Sequence, residues 1–218
     1  MSKRPFQPSR ESVRGDELEY YDRVIARQNT YGYGREKGTE AGPHFGYLLQ
    51  APYVADALCE LGAYYRGRGA TEGSFSHAHR EWADHVIGKE ISLAIFWSHM
   101  LDGVASGLRI EAIKALWEGR DWDLNREELM LATYIRQVLT STVTPQSYDA
   151  VEALLGVRGV VEYTGWIAHL QLTARLMAAN ANSVGQRPDY RAMIEDRLKA
   201  LLDGTAQLPD GPRFTKAQ

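Results

Sequence analysis

Cys59 is the only cysteine in a chain of 218 residues. One thiol excludes an internal disulfide, a Cys-x-x-Cys redox pair and a multi-cysteine zinc site. A basic excess is missing as well. Lys and Arg number 25 against 28 Asp and Glu, a formal charge of -3, whereas nucleic-acid binders usually carry clear positive charge. No apolar run approaches the roughly 20 residues that span a bilayer. Residues Met1 to Asp16 are polar, contain Pro5 and Pro8, and lack the apolar centre of a signal sequence. The expectation is a cytoplasmic protein that binds neither nucleic acid nor membrane. Finally, no segment alternates apolar and polar residues over a strand length, which argues against an extensive sheet.

What the chain does have is helical periodicity and a sizeable hydrophobic fraction, 44%, too high for a disordered chain. Residues 1–15 read as a flexible arm, 16–205 as a single helical domain and 206–218 as a flexible tail. Asp16 to Asn29 forms one helix, acidic at its start and basic at its end as the helix dipole prefers. Tyr31 to Gly46 is glycine-rich and reads as a loop, either functional or a plain connection. Pro52 fits the first turn of a helix running to about Arg66, and Gly67 to Ser76 reads as a second loop. His77 to Ser106 is helical with Gly88 as the break, and Arg109 to Trp117 is a short helix ended by Gly119. Asn125 with Glu128 forms a capping box for a helix to about Thr140. Pro145 opens a helix ended by Gly156, Val157 to about Asn182 is a long apolar helix, and Pro188 to Leu202 is the last. The class is all-α, with about seven to nine helices.

Chemistry concentrates on histidine, of which there are six. His77, His79 and His85 fit no standard metal-ligand spacing such as His-Glu-x-x-His and favour a polar first turn, so no metal site is predicted. His99 lies on one helical stripe with Ser92 and Ile95, flanked by Phe96, Trp97, Met100 and Leu101. A buried imidazole there needs a hydrogen-bond partner, and it titrates near neutral pH, which suits acid or base work. Trp166, His169 and Thr173 form a similar stripe one turn after Tyr163. Each histidine can be a satisfied core residue, but two on two apolar helices can also face one pocket.

The order of short motifs adds to this. Gly-Pro-His44-Phe is followed by Leu-Leu-Gln-Ala-Pro52, Leu-Gly-Ala-Tyr-Tyr-Arg66, Arg80-Glu81-Trp, Phe-Trp-Ser-His99, Gly107-Leu and Ile113-Lys-Ala-Leu-Trp-Glu-Gly119. Ser147-Tyr to Leu155-Gly and Gly159-Val-Val-Glu-Tyr-Thr-Gly165 come later. Over roughly Ala41 to Asn180 the chain resembles the carboxymuconolactone decarboxylase family, which shares its fold with alkylhydroperoxidase D. The resemblance implies a helical bundle with an antiparallel helix pair and assembly as a homo-oligomer, whether dimer, trimer or hexamer. Redox members carry Cys-x-x-Cys-x-x-x-His with an upstream glutamate. Aligning that histidine with His99 puts Ser92 and Ile95 where the cysteines stand. Glu81 matches the glutamate, one residue short of the family spacing. Non-redox relatives read Tyr-Glu-Trp-x-x-His, and Ala94-Ile95-Phe96 replaces that acid too. His44 stands where relatives often have Phe, and His169 where they often have Tyr.

Without a resolving thiol a peroxidase is excluded. The expectation is a cofactor-independent, carboxymuconolactone decarboxylase-like lyase or isomerase acting on a small carboxylated lactone or related acid, as in aromatic compound catabolism. His99 is the general acid/base, Glu81 orients it, and His169 contacts the developing enolate oxygen. His44, Trp97, Trp166 and Tyr163 line the substrate site. The alternative is a non-catalytic ligand-binding or assembly protein of the same fold, since the missing thiols and acid would also follow from decayed catalysis.

Overall fold

The structure, a computed structural model, describes residues 7–30, 41, 43–68, 74–181 and 188–209. Nine α-helices and no strand occur among these residues: α1 (Leu18–Thr30), α2 (Pro43–Leu48), α3 (Pro52–Arg68), α4 (His77–Glu90), α5 (Leu93–Ala105), α6 (Ile110–Glu118), α7 (Arg126–Thr140), α8 (Pro145–Ala181) and α9 (Tyr190–Leu202). The all-α expectation holds. The chain divides into two compact units, one of Met1–Tyr64 with Met177–Arg187 and one of Tyr65–Leu176 with Pro188–Gln218.

In the first unit α1 and α3 share a charged seam over an apolar layer. Val24 and Ala55 are fully buried. Arg23 donates to Asp56 Oδ2 at 2.7 Å and Arg27 to Glu60 at 2.9 Å. Residues preceding α1 lie along it through an Arg10–Asp22 pair at 2.7 Å and a Gln7–Tyr21 hydrogen bond at 2.8 Å. Of the loop expected over Tyr31–Gly46, residues 31–40 and 42 lie outside the described set. Its end is helical, because α2 begins at Pro43, where the missing proline N–H costs a helix nothing.

In the second unit α4 and α5 form an antiparallel pair. The break between them falls at Ile91–Ser92, where the dihedrals leave the helical region, and not at Gly88. Gly88 stays inside α4 because α5 crosses it: a Cβ there would stand 2.5 Å from the Phe96 backbone nitrogen. Glycine serves close approach at this position, so its reading as a helix end is corrected. Further along, Gly103 of α5 faces His85, with a Cβ position 2.6 Å from the ring.

The start of α4 is capped by an unusual box. Ser76 accepts from the His79 backbone N–H, and the His79 ring nitrogen Nδ1 accepts from the Ser76 backbone N–H, both at 3.1 Å. The expected Asn125–Glu128 box starts α7. Gly156, with φ 77°, interrupts α8 where the sequence predicts a helix end. Two side chains then tie α8 to its neighbours. Tyr163 donates to the His79 carbonyl at 2.9 Å, and Tyr134 and Thr164 hydroxyls meet at 2.6 Å.

Candidate functional site

The site lies where α4, α5 and α8 meet inside the second unit. Glu81 and Asp84 are three residues apart on α4, so both carboxylates face the same side, toward α5. His99 of α5 enters between them. Its Nδ1 lies 2.9 Å from Glu81 Oε2 and 2.9 Å from Asp84 Oδ2. Nδ1 carries a single N–H. It is directed at Glu81, which leaves Asp84 Oδ2 at ion-pair distance but without a hydrogen bond. Both carboxylates are fully buried, whereas the His99 side chain keeps 23% of its surface exposed. Its Nε2 has no hydrogen bond among the described residues.

The other carboxylate oxygens are engaged from behind. Arg80, itself buried, donates through Nη2 to Glu81 Oε1 at 2.8 Å. The same Nη2 lies 2.5 Å from His77 Nε2, which is itself 3.3 Å from Glu81 Oε1. Trp166 of α8 donates its indole N–H to Asp84 Oδ1 at 3.1 Å. Burial alone would lower the His99 pKa, but the negative charges of Asp84 and Glu81, with the hydrogen bond to Glu81, outweigh it and carry it up to about 10. The imidazole is therefore an imidazolium at neutral pH. Burial likewise opposes ionisation of Glu81, and the His99, His77 and Arg80 side chains overcome that and hold its carboxyl well below the usual range.

His169 is one turn beyond Trp166, and their rings tilt together with centroids 5.6 Å apart. Tyr65 approaches both rings, at 6.0 and 6.1 Å. Burial, and then the positive charge of Arg66, lower the His169 pKa to about 4. Its Nδ1 is buried without a hydrogen bond among the described residues. His169 is thus a neutral imidazole at pH 7, the opposite of His99.

The structure brings Glu81, His99, Trp166 and His169 into one neighbourhood. Trp166, expected to line the substrate site, is a hydrogen-bond donor to Asp84 there. Tyr163 is fully buried and acts as a strut to the start of α4. Trp97 faces α9, with the Arg197 guanidinium 4.1 Å over its ring. His44 belongs to α2 in the first unit, where its ring meets Phe45. His79 caps α4, and His85 is fully buried with Nδ1 2.6 Å from the Glu81 carbonyl.

Sequence reasoning missed Asp84, Arg80 and Arg66. Asp84 had a signal, namely its position three residues after Glu81 on a helix. Among the described residues, Glu81, Asp84 and His99 are the group of potential metal ligands whose donor atoms converge, all within 4.8 Å of one another. No described helix is long and apolar enough to cross a membrane. No family model matches the chain, and neither the curated proteins nor the solved structures contain a match.

Proposed function

We propose that the chain is a cofactor-independent lyase of the carboxymuconolactone decarboxylase type, with His99 as the proton donor to a small carboxylated lactone or related acid. The observation that carries this reading is the asymmetry of His99. One ring nitrogen is clamped between two buried carboxylates at 2.9 Å, while the side chain keeps 23% of its surface exposed. Such an imidazolium is oriented, charged and accessible to a substrate.

The reaction needs little else from the protein. The C–C bond to the carboxylate breaks, carbon dioxide leaves, and the electron pair passes into a neighbouring carbonyl as an enolate. His99 then delivers a proton to carbon and recovers one from solvent. Glu81 and Asp84 are positioning groups that keep the ring charged, so His99 acts as the acid and not as the base. Neutral His169 with the nearby Arg66 charge suits the developing enolate oxygen. The exposed Val157 and Val161, one turn apart after the Gly156 break in α8, support a homo-oligomer, and a cytoplasmic location fits the lack of a described spanning helix.

Incubation with carboxylated lactones and β-keto acids, read by mass spectrometry, tests the activity. His99→Gln should lower turnover by roughly 10²–10⁴. It also leaves two buried carboxylates short of a cation, a cost of about 3–5 kcal/mol, so turnover must be scored per folded molecule. Unchanged turnover per folded molecule would refute the assignment. Absence of turnover across the panel would favour the ligand-binding alternative.

A further inference from the structure

Glu81 and Asp84 present a geometry that a proton does not use fully. Each has one oxygen held from behind, by Arg80 at 2.8 Å and by Trp166 at 3.1 Å. Each turns its other oxygen toward His99 Nδ1, at 2.9 Å in both cases. The single Nδ1–H serves Glu81, and Asp84 Oδ2 remains buried with no hydrogen bond. A fully buried anionic oxygen without a donor is costly. A ligand that reaches both oxygens at once would relieve that cost, and a divalent cation is such a ligand.

The dimensions agree. Neighbouring ligands of an octahedral ion with bonds of about 2.1 Å stand about 3.0 Å apart, and the two separations from Nδ1 are 2.9 Å. Tetrahedral neighbours at the same bond length would be about 3.4 Å apart, so an octahedral ion fits better. Two carboxylates supply two negative charges toward the ion, with the Arg80 guanidinium against the far oxygen of Glu81. Arg80 and Trp166 already supply the outer hydrogen bonds that fix the orientation of ligating carboxylates.

We infer that Glu81 Oε2, Asp84 Oδ2 and His99 Nδ1 form a three-ligand site for a first-row divalent cation of octahedral preference, Mn²⁺ being the representative. The ion enters and the Nδ1 proton leaves to solvent. The inference goes beyond the proton-donor reading and does not depend on it. The two occupants exclude each other, so a bound cation would silence an enzyme that relies on the His99 proton.

The test uses the full chain, stripped with chelator, and needs no substrate. Titration with Mn²⁺ is followed by the electron paramagnetic resonance of the aqueous ion. The expected result is uptake of one ion per chain, with Glu81→Gln and Asp84→Asn each abolishing it. Trp166→Phe, which removes only an outer hydrogen bond, should weaken binding roughly 10–100-fold. Asp123→Asn, remote in sequence and outside the cluster, should leave it unchanged. No uptake, or uptake that survives both carboxylate substitutions, overturns the proposal. Should those variants not fold, calorimetry of the parent in two buffers of different ionisation enthalpy decides. Release of one proton per ion supports the exchange, and release of none refutes it.

Discussion

Lowering the pH from 7.5 to 5 should destabilise the protein through His169, and replacing His169 by leucine should remove that part of the loss. The ring is 8% exposed, and burial together with the Arg66 charge lowers its pKa from 6.5 to about 4. The unfolded chain therefore binds a proton between these values that the folded chain refuses. Stability from this group is fully present above pH 6.5 and is lost as the pH falls toward 4. At about 1.4 kcal/mol per pH unit the complete effect is about 3 kcal/mol, and about 2 kcal/mol of it is gone by pH 5. Buried His85, whose pKa burial also lowers, adds a loss of the same sign. His99, whose pKa is raised to about 10, contributes a gain of opposite sign as the pH falls toward 6.5 and below, so the parent's total change does not isolate His169. The quantity to measure is thus the difference between parent and His169→Leu. Urea denaturation followed by far-ultraviolet circular dichroism at pH 7.5, 6 and 5 provides it. At pH 7.5 the substitution should cost little, because His169 Nδ1 makes no hydrogen bond among the described residues and leucine restores apolar volume. The two stabilities should then converge or cross as the pH falls. Parallel curves, differing by less than about 0.5 kcal/mol between pH 7.5 and 5, would refute the burial argument.

Three further outcomes are expected. Trp166→Phe keeps an aromatic ring but removes the donor to buried Asp84 Oδ1, and should lower stability by about 1–3 kcal/mol in the same denaturation assay. Gly88→Ala places a methyl 2.5 Å from the Phe96 backbone, where no flexible side chain can yield, and should cost about 1–3 kcal/mol or more; an unchanged melting temperature would show that α5 does not cross there. Light scattering should give a mass that is a multiple of 24.5 kDa, and Val157→Asp with Val161→Asp should reduce it to the monomer, whereas a monomeric parent would refute assembly through α8.

Periodicity made most of the helices legible. Apolar spacing of three and four carries through α5 and α8, and local chemistry marks the Asn125 cap and the Gly156 break because each acts within its own turn. The Gly88 reading failed for the opposite reason. What requires glycine there is Phe96 on another helix, and one residue in sequence cannot distinguish a helix end from a close crossing. Pro43 was similarly absorbed into a glycine-rich loop although it starts α2, since neighbouring composition outweighed its preference for a first helical turn.

The site was half legible for the same physical reason. His99 and Glu81 were found through a motif resemblance, and His169 and Trp166 through an aromatic stripe, but their relation depends on how three helices pack. Asp84 drew no reading from the sequence, because its role comes from Trp166 of α8 and His99 of α5, which close on it from different sides. Packing also gives the two imidazoles opposite characters, which no local pattern encodes. Carboxylates carry the pKa of His99 up to about 10, and burial beside Arg66 takes that of His169 down to about 4. At neutral pH the same residue type thus supplies a charged group and a neutral one in one neighbourhood. An anionic substrate drawn to the imidazolium would meet an uncharged ring beside Trp166, and that pairing of charge with neutrality follows from the placement of Asp84 and Arg66 and not from the histidines themselves.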